Sequence, residues 1–413
     1  INGLTDWVYE EEFAFVKAYE WGLDGSKIAF LRFDEREVPE FSMDVYGTYG
    51  QQLYPSEDTF KYPKAGEENA KVSFNIVDIK TGEIQDIDLG DYEYLQRLQW
   101  TNKENIVSVQ SMNRHQDSLK LHFVDVDKLS AENILTKTDD AYIEVNDYLT
   151  FLDDNSFIWT SEKSGWRHLY HYNADGSLAD QITEGNWTVT DYYGYDEENK
   201  RIFYQSTQNG NVNRGVYSVK INGRRTRDLA TQEGTNAADF SADYSKFINT
   251  YSSIKTPARF TLHKARNGDL IRKIKDNQDL VDKLSQYNTA EKEISTLNIN
   301  GNELNMWMIK PSDFDASKEY PLFMYQYSGP GSQQVKNSFA GSNDFWFQML
   351  ANQGYIVACV DGRGTGLKGR DFKKVTQEEL GKFELADQKS AAIKLGNRDY
   401  IDAERIGIWG WSY

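Results

Sequence analysis

The chain has 413 residues, 39% of them apolar, with 10 Trp, 26 Tyr and 21 Phe. That supply of apolar and aromatic side chains excludes a disordered or low-complexity chain, and the length suggests two or three domains at about 150 residues each. The net charge of −18 argues against a nucleic-acid binder, and no run approaches the roughly 18 apolar residues that span a bilayer.

Up to about residue 290 the sequence reads as all-β, with β-branched and aromatic runs separated by Asp/Asn/Gly turns. An aromatic residue, a polar turn and a strand recur from Trp21, Trp100, Phe151, Tyr195 and Phe240. The spacings of 79, 51, 44 and 45 residues suit β-propeller blades, with an insertion expected within 36–70 of the first. A β-sandwich with irregular turns is the alternative.

After residue 290 the pattern changes. Asn300-Gly301 predicts a tight hairpin between two strands. Strands at Leu322–Tyr327, Tyr355–Val360 and Arg405–Trp409 alternate with helices at Asp344–Asn352 and near Glu384–Leu395. Such alternation predicts a parallel or mixed sheet. The fold class is therefore all-β plus α/β: a partial β-propeller over 1–290, followed over 291–413 by the N-terminal half of an α/β-hydrolase domain.

The last strand runs into Gly410-Trp411-Ser412-Tyr413. In a nucleophile elbow, Gly-x-Ser-x-Gly turns so tightly that the residues flanking the serine must be tiny. A serine nucleophile needs a base, yet His115, His122, His168, His171 and His263 all precede residue 290. In α/β-hydrolases the acid and the histidine follow the serine. The chain is therefore expected to be a piece of a longer protein, an expectation that the absent initiator Met shares.

Other motifs have plainer readings. His168 and His171, three apart on a strand, point to opposite faces and cannot chelate one ion. Cys359, the single cysteine, lies in an apolar strand and reads as core; alone it forms no internal disulfide. Gly362-Arg363-Gly364-Thr365-Gly366 lacks the spacing of a dinucleotide loop and reads as a structural loop at the sheet edge. Glu10, Glu11 and Glu12 form either a solvated acidic turn or an anchor for a cation such as a substrate ammonium.

Several motifs together resemble the prolyl oligopeptidase family of serine peptidases, in its dipeptidyl peptidase IV branch. They are Asp6–Glu12, Glu37-Val38-Pro39, Tyr62–Gly66, Ser164–Leu169, Tyr327–Gly331, Asp361–Gly366 and Trp409–Tyr413, in order along essentially the whole chain. The resemblance implies an eight-bladed propeller in the parent and Ser412 as nucleophile. It also implies Tyr327 and the backbone N–H of Tyr413 as oxyanion donors, with the Tyr413 ring walling a proline pocket. Glu11 and Glu12 would bind the free N-terminus of a peptide substrate. The family's catalytic Asp and His, the rest of its proline pocket and an upstream Arg have no counterparts in these residues.

The implied activity is a serine exopeptidase releasing N-terminal X-Pro or X-Ala dipeptides through an acyl-enzyme, with no metal or other cofactor. The implied protein is a homodimer located outside the cytoplasm, in a bacterial periplasm or at the cell surface. The lone cysteine suits a bacterial member better than the disulfide-rich animal enzymes. The alternatives are a prolyl oligopeptidase or acylaminoacyl peptidase, which would need no ammonium anchor, and a non-catalytic propeller that binds partners.

Overall fold

Each aromatic–turn–strand repeat folds as the hairpin between the first two strands of a four-stranded antiparallel sheet. The pairs are Tyr19–Trp21 with Lys27–Asp34, Tyr94–Trp100 with Ile106–Met112, Thr150–Phe151 with Phe157–Ser161, Val189–Asp196 with Arg201–Ser206, and Thr235–Phe240 with Lys246–Ser253. Four of these turns carry a residue at positive φ: Gly25, Asn155, Lys200 and Tyr244. Such conformations suit the right-handed twist of the flanking strands. Two further strands complete each sheet. The structure is a computed structural model that describes residues 1–47, 53–339 and 342–413, with backbone alone at 342 and 343.

The insertion expected within 36–70 is a two-stranded arm, Glu40–Val45 paired with Ser56–Lys61. It leaves the first sheet after Lys27–Asp34 and returns before Lys71–Asp78. Residues 48–52 of that insertion lie outside the described residues. The contact pattern separates the chain into two compact units, residues 1–158 with 172–179 and residues 159–171 with 180–413. The first unit holds the first two sheets; the second holds the fourth and fifth sheets and the α/β part.

The α/β part is one five-stranded sheet in the order Lys292–Ile299, Asn302–Ile309, Ile356–Asp361, Tyr320–Gln326, Ile401–Gly410. The first two strands form the expected hairpin, with Ile299 opposite Asn302 and positive φ at both Asn300 (51°) and Gly301 (80°). The last three strands are mutually parallel. Along the inner strands alternate side chains enter two cores, one on each face, whereas most of Ile401–Gly410 is exposed. Met306 and Met308 pack with Ala391 and Leu395 of the helix Lys382–Gly396. Trp307, Ile309 and the fully buried Cys359 pack with Phe347 and Ala351 of the helix Ser342–Asn352.

The final strand begins at Ile401, earlier than the sequence suggests. Its pairing slips from Tyr320–Ile401 to Leu322–Ile406, so the intervening residues bulge. The Asp402 carboxylate accepts there from the Glu404 N–H and from Arg405 Nε.

Candidate active site

The strands Tyr320–Gln326 and Ile401–Gly410 run parallel and leave the sheet together, with Gln326 opposite Gly410. Tyr327 is the next residue on one strand; Trp411, Ser412 and Tyr413 follow on the other. Open α/β sheets bind ligands beyond the carboxyl ends of their strands, so these residues stand where such a sheet presents its chemistry. Ser412 is exposed and has φ 70°. That left-handed conformation costs a non-glycine residue about 1–2 kcal/mol. Strain of this kind is what the sharp strand-to-helix turn of a nucleophile elbow imposes.

Tyr327 is half-buried and heads a loop whose glycines make room for it. A Cβ on Gly329 would stand 3.1 Å from the Tyr327 hydroxyl. This loop is laced to the one after Ile356–Asp361: the Gly331 N–H donates to Gly364 O (2.9 Å) and the Gly366 N–H to Ser332 O (2.8 Å). A Cβ on Gly366 would stand 2.5 Å from Gly331 O. The glycine run Gly362–Gly366 is thus the structural loop expected, packed too closely for side chains at that point.

Two carboxylates hold these loops. Asp361 is buried and accepts from the N–H groups of Gln334 (3.0 Å) and Val335 (2.8 Å). Burial pushes its carboxyl up to about 6, against the pull of those two donors. Asp387, fully buried, accepts from the Arg363 N–H (2.9 Å) and from its guanidinium (2.7 Å).

Tyr413 reaches across to the helix Lys382–Gly396, where its hydroxyl donates to Glu384 Oε1 at 2.6 Å. Burial first, then Glu384, pushes the Tyr413 phenol up to about 12, so it stays protonated near neutrality. The sequence motif contains no sign of Glu384, which appears there only as an acidic residue at a helix start.

Glu11 and Glu12 belong to the first compact unit. They lie on a helix, Trp7–Glu12, rather than in a turn, and Glu10, Glu11 and Glu12 are all exposed. Asp6 caps this helix by accepting from the Tyr9 N–H (3.1 Å). The hydroxyl of buried Tyr9 in turn accepts from the Leu95 N–H at 2.9 Å. The acidic cluster is therefore exposed while its helix is tied to the second sheet.

Among the described residues, no group of three His, Cys, Asp or Glu side chains could hold a metal ion, and no helix is long and apolar enough to cross a membrane. His168 is buried, bonding Thr183 Oγ1 (3.0 Å) and Gly185 O (2.9 Å), whereas His171 is half-buried.

Residues 1–258 match the family described as the dipeptidyl peptidase IV (DPP IV) N-terminal region, and residues 342–413 match the prolyl oligopeptidase family. A probable dipeptidyl-aminopeptidase B of Pyrenophora teres f. teres is 32% identical over 446 residues, covering 100% of this chain and 48% of the relative. That of Phaeosphaeria nodorum is 33% identical over 442 residues, again covering 100% and 48%. The crystal structure of Porphyromonas gingivalis dipeptidyl peptidase 4 superposes with a TM-score of 0.94 at 40% identity, covering 100% of this chain and 58% of that one. The chain spans about half the length of the curated relatives it matches.

Proposed function

Because the chain belongs to the dipeptidyl peptidase IV branch of the prolyl oligopeptidase family, we propose that the whole protein is a serine exopeptidase releasing N-terminal X-Pro or X-Ala dipeptides. Ser412 Oγ attacks the scissile carbonyl, the amine leaves with a proton, and water hydrolyses the acyl-enzyme. Tyr327 and the Tyr413 N–H donate to the oxyanion. A single donor of this kind is worth about 3–4 kcal/mol of barrier. The observation that carries the reading is the pairing of Gln326 with Gly410, after which Tyr327 and the strained Ser412 leave adjacent strands. The acid and base come from an Asp and a His beyond Tyr413.

Glu11 and Glu12 take the substrate's free ammonium, and their exposure on one short helix supports that role. An amine fixed at one end measures two residues to the scissile bond. The division into a propeller over 1–290 and a hydrolase part over 291–413, with eight blades in the parent, belongs to the same reading. The five four-stranded sheets support it. The homodimer is supported by the arm of the first sheet, which exposes Met43, Val45, Tyr46, Leu53 and Tyr54. Light scattering of the full-length protein tests the dimer, and cell fractionation tests the extracytoplasmic location implied by the family.

The activity is tested with full-length protein on Gly-Pro-p-nitroanilide and its N-acetylated counterpart. Release from the free amine only, abolished by Ser412→Ala, is the expected result. Undiminished activity of Ser412→Ala would sink the assignment, and equal cleavage of the acetylated substrate would remove the ammonium anchor.

A further inference from the structure

Tyr413 and Glu384 stand in a relationship that the peptidase chemistry does not itself require. Tyr413 remains 38% exposed, yet the tip of its side chain is held at 2.6 Å by a carboxylate that is only 6% exposed. An O–H···O⁻ bond of that length is charge-assisted and roughly twice as strong as a neutral one. The holding group is itself fixed. Glu384 sits in the first turn of Lys382–Gly396, where the positive end of the helix favours a carboxylate. That helix is anchored to the loop after Ile356–Asp361 by Asp387 on Arg363, and to the sheet by Gln388 Nε2 on Val360 O (2.8 Å) and by buried Ala391 and Leu395.

The second oxygen of Glu384, Oε2, is buried without a hydrogen-bond partner among the described residues. A buried carboxylate with one oxygen unmatched is costly, and the helix end offsets only part of that cost. What the carboxylate provides here is the grip on Tyr413.

We propose that Glu384 is a positioning residue for the nucleophile turn: by holding the Tyr413 phenol it fixes the orientation of the peptide joining Ser412 to Tyr413. This rests on the serine-peptidase reading above, because the N–H of that peptide is the second oxyanion donor. The turn needs an external hold. Ser412 is at φ 70°, a conformation that costs a non-glycine residue energy and persists only where surrounding contacts hold it. A misplacement of about 1 Å at such a donor can cost on the order of a hundredfold in rate. The bond also fixes the Tyr413 ring, so the pocket wall and the oxyanion donor are set by one contact.

The test uses the full-length protein with Glu384→Ala, Glu384→Gln, Tyr413→Phe and the Glu384→Ala/Tyr413→Phe double variant. Steady-state kinetics on Gly-Pro-p-nitroanilide are compared with thermal melting of each. Glu384→Ala and Tyr413→Phe are expected to lower kcat about ten- to a hundredfold. The double variant should fall no further than the worse single one, and Glu384→Gln, which keeps an acceptor, should stay within about threefold of the parent. Losses that multiply in the double variant, or a kcat for Tyr413→Phe equal to the parent's, would overturn the proposal. So would a lowered melting temperature with kcat per folded molecule unchanged. If Glu384→Ala does not fold, Tyr413→Phe alone decides, since it removes the bond and keeps the ring. A parent with neither turnover nor fluorophosphonate labelling at Ser412 would instead overturn the peptidase reading.

Discussion

Gly410 lies opposite Gln326 so closely that a Cβ added to Gly410 would stand 2.6 Å from the Gln326 carbonyl oxygen and 2.9 Å from its Nε2. Both are separations that folded proteins do not tolerate, and one neighbour is backbone. Gly410→Ala must therefore push the end of its strand away from Tyr320–Gln326, just where Ser412 and Tyr327 emerge. Overpacking of this kind costs about 1–3 kcal/mol. The larger effect is expected on rate, because the displaced turn carries the proposed nucleophile and one of the two proposed oxyanion donors. In full-length protein kcat should fall about a hundredfold while the fold survives. Circular dichroism with dipeptide-nitroanilide turnover checks this, and a kcat within twofold of the parent would show the contact to be slack.

That glycine was legible in the sequence as the first position of Gly-x-Ser, and so was most of the architecture. The repeats at Trp21, Trp100, Phe151, Tyr195 and Phe240 each mark a hairpin, since an aromatic residue, a polar turn and a β-branched run form a purely local signal. Asn300-Gly301 is legible for the same reason. Glu384 and Glu162 were not: their partners lie 29 and 211 residues away, and neither has a local pattern. The bulge at Asp402–Arg405 was missed because it depends on side-chain bonds to the backbone rather than on hydrophobic period. The motif Ser164–Leu169 was visible as a signature, but not its partner: the Gly165 carbonyl accepts from the Arg370 N–H at 2.8 Å.

Tyr327→Phe separates the hydroxyl from the ring. The ring packs beside Gly329 and is only half-buried, so removing the oxygen leaves the loop in place. If Tyr327 is the oxyanion donor proposed above, its loss predicts a fall in kcat of about 10²–10³ with KM little changed. Steady-state kinetics on Gly-Pro-p-nitroanilide measure it, and a rise in KM at constant kcat would assign Tyr327 to ground-state binding instead.

Glu162 shares its carboxylate between two lysines. Lys373 Nζ lies 2.7 Å from Oε1 and Lys374 Nζ 3.0 Å from Oε2, with all three side chains largely buried. Burial acts to raise the carboxyl pKa, but the two lysines together outweigh it and hold the group below the usual carboxylate range. Glu162→Gln removes the charge and leaves both cations in place. Breaking a buried pair in this way costs about 3–5 kcal/mol. Because the folded-state pKa is depressed, the contribution is present at neutral pH and is lost as pH falls below about 4.5 toward the folded value. Urea unfolding at pH 7 should show the full difference between Glu162→Gln and the parent, and at pH 3 a smaller one. Equal differences at the two pH values would mean that charge is not what the site contributes.

His122 has the opposite acid response to a paired cation. It is 3% exposed on the strand Ser118–Asp125, and its Nε2 lies 2.8 Å from the buried Ser111 hydroxyl. Burial, and secondarily the positive charge of Lys120, pull its pKa down to about 4 from the ordinary 6.5. Above pH 6.5 the imidazole is neutral in both folded and unfolded chains, so it gives no pH slope. Between 6.5 and 4 the unfolded chain takes up a proton that the folded one refuses, and stability falls by about 1.4 kcal/mol per pH unit. Below about 4 both states carry the proton and the loss levels off. His122→Gln keeps a group able to bond Ser111 but cannot titrate. Between pH 7 and pH 5 the parent should therefore lose about 2 kcal/mol more than His122→Gln in urea unfolding. Parallel pH dependence in the two proteins would mean that the folded state accepts the proton as readily as the unfolded one, and that Ser111 and His122 part or rearrange to admit it.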